Sequence, residues 1–339
     1  MILYAGNKLS RFGYTPTFIE TLTPKLSEFY NIISVSDKKN QILRMLDMIS
    51  AVVKNRKDLK LVLIDSYSVR AFWYTYILAH LCRYFNIPYI PILRGGGYPY
   101  RLESSPAKCR FIFTNSYKNI SPSMYLKEHF EKKGYKVIYI PNFIPIGNYQ
   151  YKNRTSARPF LLWVRSFHEI YNPLLAVEIL KDLKEKYPDA KLCMIGPDKD
   201  GSLSKVKEES GNSGLNGSLI ITGKLTKDEW TAISAGYDVF INTTNFDNHP
   251  VSVIEAMALG MPVISTDVGG IPYLINDRTD GILVPPGSKE SFVNEIENFI
   301  RNPEFMSFIS SNARKKVEEF DWENVKRKWF DVIDPLVKN

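Results

Sequence analysis

Residues 241–270 read INTTNFDNHPVSVIEAMALGMPVISTDVGG, and this stretch decides the fold. The apolar run at 238–242 predicts a buried strand, and a polar loop follows it. A helix is predicted over 251–259, where a glycine stops it, and residues 261–265 predict the next strand before a glycine loop. Strand, loop, helix and strand make up half of a nucleotide-binding α/β sheet. In such sheets, ligands bind at the loops that follow the carboxyl ends of the strands.

Two carboxylates bracket the loop and the helix start. Asp247 lies at the end of the loop, and Glu255 lies eight residues later in the second helical turn. The helix N-terminus between them favours a phosphate, and the carboxylates can accept hydrogen bonds from sugar and ribose hydroxyls. This pattern predicts a nucleotide-sugar site. A structural alternative is equally open at this point, because Ser252 and Glu255 have capping-box spacing and Asp247 suits an Asx turn.

The wider stretch DNHPVSVIEAMALGMPVISTDVGG resembles the donor-site motif of the retaining glycosyltransferases of family 4. That motif is a glutamate, seven residues and a second glutamate, followed by A-M-A-x-G-x-P-V-I-x-[ST]-x-x-G-G. Asp247 stands at the first acid and Glu255 at the second. The resemblance implies the GT-B class of α/β fold, with two Rossmann-like domains whose parallel sheets face each other across a cleft. It also implies that Asp247 orients the transferred sugar and that Glu255 holds the ribose.

Other donor-site residues follow from the same resemblance. Arg165 ends a strand predicted over 160–164 and matches the family arginine that binds the donor diphosphate, a role that suits its planar guanidinium. The lysine that the family carries about five residues later is absent here. Gly223 and Lys224 stand where the family packs its backbone against the nucleotide base. With Asp247, Arg165 and Glu255 as the expected catalytic residues, the rest of the expected donor set is Asn248, His249, Pro250, Val251 and Ser252.

The acceptor is expected on the N-terminal half. A glycine-bounded loop at 6–13 follows a strand at 2–5, and it is either a ligand loop or a plain connection. Arg94 follows a strand at 88–93, in the place where many relatives have a histidine. It either binds a phosphate in bidentate fashion or forms a structural ion pair. The residues expected on the acceptor side are Gly13, Arg94, Gly95 and Gly96.

The length of 339 residues predicts two domains. We place the acceptor domain at 1–150 and the donor domain at 151–321, because residues 144–158 read as a linker without periodicity. By resemblance, a final helix at about 322–339 packs back on the first domain. Thr15-Pro16 is expected to cap the first helix, and residues 111–115 are expected to form a strand.

Charge divides the chain unevenly. Residues 1–155 hold 23 Lys and Arg against 9 Asp and Glu, a net +14, whereas the remainder has a net −6. The basic half predicts an anionic partner. No nucleic-acid motif occurs, so an anionic membrane face or a phosphate-bearing acceptor fits better. Three cysteines without metal-ligand spacing, and no secretory signal after Met1, predict a cytoplasmic protein. Together with the basic half, they predict a protein that is peripheral on the inner membrane face.

The function expected from these observations is transfer of a sugar from a nucleotide-diphosphate-sugar to a glycan or a polyprenyl-diphosphate-linked acceptor, in cell-surface polysaccharide synthesis. No cofactor and no metal are expected, because the resemblance implies metal-independent transfer. Two alternatives remain: a non-catalytic nucleotide-sugar-binding partner of the same fold and a sugar-nucleotide epimerase. The missing lysine and histidine support the non-catalytic partner, and the presence of Arg165, Asp247 and Glu255 opposes it.

Overall fold

The computed structural model describes residues 1–14 and 16–338, which form two compact units. The first unit is Met1–Asn142 together with the C-terminal segment that begins at Glu323. The second unit is Phe143–Trp322. The segment after Asn142 groups with the second unit because the side chains of Tyr149 and Arg154 are buried there. The Arg154 guanidinium donates hydrogen bonds to backbone carbonyls at the ends of two helices, at Ser234, Tyr237 and Leu259.

The first unit is a parallel sheet in the order β2-β1-β3-β4-β5-β6 with helices between successive strands. Its strands are near-continuous apolar runs, as expected for a sheet buried on both faces. The strands are β1 (Ile2–Ala5), β2 (Ile32–Val35), β3 (Leu61–Ser66), β4 (Tyr89–Leu93), β5 (Asn119–Ser121) and β6 (Val137–Tyr139). The helices are α1 (Phe18–Ser27), α2 (Gln41–Asn55), α3 (Phe72–Tyr84), α4 (Tyr98–Ser104), α5 (Pro106–Asn115) and α6 (Met124–Lys132).

The second unit is a parallel sheet in the order β12-β11-β10-β7-β8-β9. Its strands are β7 (Phe160–Val164), β8 (Lys191–Ile195), β9 (Leu219–Gly223), β10 (Val239–Asn242), β11 (Val263–Thr266) and β12 (Ile282–Val284). The helices are α7 (Pro173–Lys186), α8 (Ser202–Asn212), α9 (Lys227–Ser234), α10 (Val251–Ala258), α11 (Ile271–Leu274), α12 (Lys289–Arg301) and α13 (Pro303–Glu318).

Alternating residues of the second sheet fill two cores, because successive side chains of a strand point to opposite faces. Leu161, Trp163 and Ile241 belong to the core on one face. Leu162 and Phe240 belong to the core on the other face, where α10 packs. The strand–loop–helix–strand order predicted over 238–265 is confirmed by β10, α10 and β11.

The last helix, α14 (Trp322–Val337), begins where the sequence predicts it. Its residues from Glu323 onward belong to the first unit. Trp329 is fully buried, with its ring centroid 6.5 Å from that of Phe18. The Tyr30 hydroxyl donates a 2.5 Å hydrogen bond to Asp334. Aromatic packing and this hydrogen bond therefore attach the end of the chain to the first unit.

Two local predictions are wrong. Residues 111–115 form the last part of helix α5, because Pro106 at the first helical position starts a helix that buries Cys109, Ile112 and Phe113. Helix α1 begins at Phe18 with Thr17 as its N-cap, and the Thr17 backbone N–H donates to Glu20 at 2.8 Å. Of the cap predicted at Thr15-Pro16, Thr15 lies outside the described residues. Across 1–14 and 16–338, each helix is too short or too polar to cross a bilayer.

Candidate functional site

Arg165 and Asp247 form an ion pair at the carboxyl edge of the second sheet. Arg165 follows β7, and Asp247 lies in the loop after the neighbouring strand β10. The guanidinium donates to a carboxylate oxygen of Asp247 at 2.5 Å and lies 5.0 Å from the centroid of the Tyr171 ring. Tyr171 occupies the region where the family carries its lysine. The structure thus brings together two of the three residues predicted to be catalytic.

The second carboxylate oxygen of Asp247 fixes the loop itself. It accepts the His249 backbone N–H at 3.0 Å, which is the Asx turn considered as the structural alternative. Two glycines pack against this turn from β11's side. A Cβ at Gly269 would lie 2.4 Å from the carbonyl oxygen of Asp247, and one at Gly270 would lie 1.8 Å from that of Asn248. Asp247 therefore serves both the turn and the ion pair, and the glycine pair is required for the loop's conformation.

Helix α10 starts without a side-chain cap. Its N-cap residue is Pro250, and no side chain in the described part of the chain accepts a hydrogen bond from the first helical turn in the way a cap does. The first N–H groups of any α-helix lack an intrahelical acceptor. The hydroxyl of Ser252 is also buried and finds no hydrogen-bond partner among the described residues. Unsatisfied donors thus gather at a helix N-terminus, where the helix dipole favours an anion.

Glu255 is held by two residues that the sequence did not point to. It is 4% exposed and accepts hydrogen bonds from the Tyr149 hydroxyl at 2.7 Å and from the Lys227 ammonium at 2.6 Å. The capping-box interpretation is wrong, because Ser252 lies inside the helix and Glu255 bonds elsewhere. Burial and the neighbouring Glu255 charge raise the pKa of Tyr149 well above its usual range, so its hydroxyl stays a donor.

The sequence contains one indication that Lys227 lies near Glu255, which is its position relative to the predicted strands. It contains no such indication for Tyr149. Lys227 is the first residue of α9, which follows strand β9, so it lies at the same sheet edge as the start of α10. Tyr149 is separated from Glu255 by 106 residues and lies outside any predicted element.

The remaining residues predicted for the donor site lie in the loops after β9 and β10. Gly223, a predicted contact of the nucleotide base, ends β9 with a φ of +74°, and Lys224 is exposed. Asn248 and His249 are half-buried in the loop, and Val251 is exposed.

The acceptor-side residues lie on the first unit, and Arg94 there forms the structural ion pair that was the alternative interpretation. Its side chain is 8% exposed, it donates to Asp65 at 3.4 Å and to Asn142 at 2.5 Å, and it stacks 3.6 Å from the centroid of Phe18. Burial raises the pKa of the Asp65 carboxyl above its ordinary value, and the positive charge of Arg94 acts in the opposite direction. One atom of each partner, Asp65 Oδ2 and Arg94 Nη2, is buried without a hydrogen bond to any described residue.

The predicted glycines have separate structural roles. Gly95 is packed against Ser68, since a Cβ at residue 95 would lie 2.4 Å from the Ser68 backbone nitrogen. Gly96 is half-buried, and Gly13 is exposed with a φ of +81° at the end of a short 3₁₀ turn. Within the described ranges, no group of three or more His, Cys, Asp or Glu side chains is placed to hold a metal ion.

Residues 149–316, about half of the chain, match the family described as Glycosyl transferases group 1. The match contains Arg165, Asp247, Ser252 and Glu255, the residues that the geometry brings to one edge of the second sheet. The chain belongs to this family through its second unit. The family 4 subdivision and the retaining stereochemistry implied by the motif stay predictions.

Curated relatives match part of this chain. The sulfoquinovosyl transferase of Arabidopsis thaliana is 31% identical over 150 residues, which are 43% of this chain and 28% of that protein. An uncharacterized glycosyltransferase of Methanocaldococcus jannaschii is 27% identical over 163 residues, which are 48% of this chain and 40% of that protein. The chain spans less than half the length of either relative.

Solved structures match over nearly the whole chain. Anabaena HepE in complex with UDP-glucose superposes with a TM-score of 0.78 at 17% identity, covering 99% of both chains. The lipopolysaccharide outer core galactosyltransferase WaaB superposes with a TM-score of 0.70 at 16% identity, covering 98% of this chain and 99% of that one. The expected GT-B class of α/β fold, with two Rossmann-like domains, is confirmed.

Proposed function

We propose that the protein is a glycosyltransferase that moves a sugar from a nucleotide-diphosphate-sugar to a glycan or lipid-linked glycan acceptor, without a metal and with retention of configuration. The observation that carries the proposal is the uncapped start of α10, where the buried Ser252 hydroxyl lacks a partner among the described residues. Buried donors without acceptors are rare in folded proteins, and a bound diphosphate would satisfy these.

We assign each donor-site residue a role that follows from its charge. The diphosphate would lie at the α10 N-terminus, where Arg165 adds a cationic donor that stabilises the leaving group as its negative charge develops. Arg165 already contacts Asp247, so the pair would place a cation toward phosphate and a carboxylate toward the sugar hydroxyls. Glu255 would accept hydrogen bonds from the ribose. Tyr149 and Lys227 orient its carboxylate.

The proposed transfer needs no protein nucleophile. The bond between the anomeric carbon and the diphosphate oxygen breaks, and the acceptor oxygen bonds to the same carbon on the same face. The acceptor hydroxyl proton passes to an oxygen of the departing diphosphate. Arg165 and the helix start therefore act on the group that both leaves and accepts the proton.

The comparisons support the substrate classes. HepE was crystallised with UDP-glucose, a nucleotide-diphosphate-sugar, on the same fold. WaaB is a lipopolysaccharide galactosyltransferase, which supports an acceptor in cell-surface polysaccharide synthesis. The net charge of +14 over residues 1–155 supports peripheral attachment to an anionic inner membrane face.

A thermal-shift screen of nucleotide-sugars against the whole chain tests the donor claim, because a ligand that binds the folded state raises the Tm. The stabilising donor is then incubated with a crude lipid-acceptor fraction, and the products are examined by NMR for the anomeric configuration. Stabilisation with turnover supports the transferase. Stabilisation without turnover supports the non-catalytic nucleotide-sugar-binding partner, which the missing lysine and the ion-paired Arg94 favour. No stabilisation by any nucleotide-sugar contradicts both.

A further inference from the structure

Helix α2 exposes apolar side chains where a surface helix normally exposes polar ones. In its first two turns Ile42 is 71% exposed, and Leu43 and Leu46 are also exposed. Arg44, on the same turns, points inward and donates hydrogen bonds to the Lys38 carbonyl and to Asn7 Oδ1. The usual polarity is thus reversed at the start of α2, where a charged side chain is buried and apolar side chains are exposed. The later turns of α2 bury the apolar Met48 and Val52.

A second element extends this surface. Ile42, Met45 and Leu46 share a 220 Å³ depression with Arg70 and Tyr74 at the start of α3. Beside Arg70 and Tyr74 in the chain, Val69 and Trp73 are exposed as well. We call the five exposed side chains the apolar patch: Ile42, Leu43, Leu46, Val69 and Trp73.

Three cations lie beside residues of the apolar patch, in space or in the chain. Lys39 precedes α2 and lies 5.9 Å from the Phe12 ring, Lys108 lies 5.7 Å from the Trp73 ring, and Arg70 is exposed within the depression. Of the nearby acids, Asp37 is ion-paired to Arg11 and Lys38, and Asp47 is half-buried on α2. Apolar side chains with a tryptophan and a cationic rim match the chemistry of an anionic lipid surface.

The patch also lies at the end of the sheet where the acceptor is expected. Helix α2 starts after the end of β2, and α3 starts after the end of β3. In a parallel sheet these helix starts share the carboxyl edge, and Arg94 follows β4 at the same edge. The hydrogen bond from Arg44 to Asn7 connects α2 directly to the loop at 6–13.

We infer that the apolar patch inserts into an anionic phospholipid bilayer and so brings the acceptor end of the first unit to the membrane surface. If the protein is the proposed transferase, its acceptor is therefore a glycan carried on a membrane lipid. Insertion differs from attraction by net charge alone, because buried apolar surface keeps its affinity when salt screens the cations.

Trp73 reports insertion directly. It is the exposed one of the chain's five tryptophans, all of which lie within the described ranges; Trp163, Trp230, Trp322 and Trp329 are buried. Vesicles of phosphatidylglycerol and phosphatidylcholine should shift its emission to the blue and protect it from acrylamide. Trp73→Phe should lack both signals and, because phenylalanine is also apolar, should bind the vesicles only a few-fold more weakly. Brominated lipids should quench the wild-type protein.

The binding test uses the double variant Ile42→Ser with Leu46→Ser, measured by vesicle flotation. Each substitution removes apolar surface that corresponds to about tenfold in affinity, so the double variant should bind up to about a hundredfold more weakly. The loss should persist in about 0.5 M salt, where the Debye length is only about 4 Å. The matched control is Phe308→Ser on the second unit, a substitution at a side chain 52% exposed, which should bind like wild type.

Equal vesicle binding by the double variant and wild type, or bound protein whose Trp73 stays open to acrylamide, overturns the inference. Protection of Trp73 that rises with protein concentration in the absence of vesicles would assign the patch to a second copy of the chain, which also overturns it. Donor binding, measured on the same variants by thermal shift, should be unchanged, because the donor residues lie on the second unit. Failure of donor binding in the wild type would contradict the proposed function and leave the vesicle result standing.

Discussion

Arg94 and Arg165 stand at equivalent places in the two units, each just after a strand of a parallel sheet and each paired with a carboxylate. Arg94 is enclosed by Asp65, Asn142 and the face of Phe18. Arg165 instead lies at the edge that also carries the uncapped start of α10. An arginine at a strand end therefore does not identify a phosphate site by itself. The uncapped helix start beside Arg165 distinguishes the two, because an unsatisfied buried donor alone also occurs at Arg94 Nη2.

The largest effect is expected when the ion pair between Arg94 and Asp65 is broken. Arg94→Met leaves the buried Asp65 carboxylate without a counter-charge, and we expect a loss of about 3–5 kcal/mol in the free energy of unfolding at neutral pH. Nucleotide-sugar binding per folded molecule should not change. Urea unfolding and calorimetry measure the two quantities separately.

The same variant should depend on pH in a defined direction. Burial already raises the pKa of Asp65, and loss of Arg94 removes the charge that lowers it. The Asp65 pKa of the folded variant is then higher than that of the folded wild type, so the stability deficit grows as pH rises from the wild-type pKa through the variant's higher one. Adding Asp65→Asn should restore part of the loss at neutral pH. A deficit that is the same at every pH would contradict this explanation.

The next largest effect concerns Glu255. If its carboxylate accepts hydrogen bonds from the ribose, Glu255→Gln should weaken donor binding by about 2–3 kcal/mol, or about 30- to 150-fold. Lys227→Met, which removes a neighbouring charge and leaves the carboxylate, should keep most of the affinity. Calorimetry with the donor found by the screen decides the point. Loss of stability with unchanged affinity in Glu255→Gln would mean that Glu255 only anchors Tyr149 and Lys227.

A smaller effect separates the two arginines directly. Arg165→Lys keeps the charge and loses the planar fork that binds a diphosphate, so nucleoside diphosphate affinity should fall about tenfold. Arg94→Lys is the matched control and should leave that affinity unchanged. Equal affinity in both variants would show that another residue binds the phosphates.

The smallest effect has opposite signs on stability and binding. Ser252→Ala removes a buried hydroxyl that lacks a partner in the described structure, so the free energy of unfolding should stay equal or rise. Diphosphate affinity should fall by about 1 kcal/mol, about fivefold. Ser310→Ala is the control, because that hydroxyl donates to the Gly260 carbonyl at 2.7 Å. It should lower stability and leave binding intact.

Much of the second unit could be predicted because its signals are local. The strand, loop and helix around 241–270 follow from apolar runs and glycines. The three-residue spacing of Thr226 and Glu229 likewise predicts the capping box that forms there. The failure at 111–115 has a local cause too. Four of the five residues are apolar or β-branched, which suits a strand and a buried helix equally, and the true strand β5 nearby is only three residues long.

The partners of the site residues could not be predicted, because they come from distant parts of the chain. Lys227 and Tyr149 lie 28 and 106 residues from Glu255, and Asp65 lies 29 residues from Arg94. Sequence spacing identifies a carboxylate or an arginine at a strand end. Whether it is exposed or enclosed depends on packing between elements, such as the stacking of Phe18 of α1 on Arg94.

The position of α14 has a consequence for biosynthesis. The first 142 residues leave the ribosome well before the helix that covers Phe18, Phe29 and Tyr30 has been made. The second unit, continuous from Phe143 to Trp322, emerges complete in the interval. The nascent first unit therefore displays an aromatic surface throughout synthesis of the second. The packing of this surface can be completed only after Trp329 and Phe330, which follow the second unit in the chain, have been synthesised.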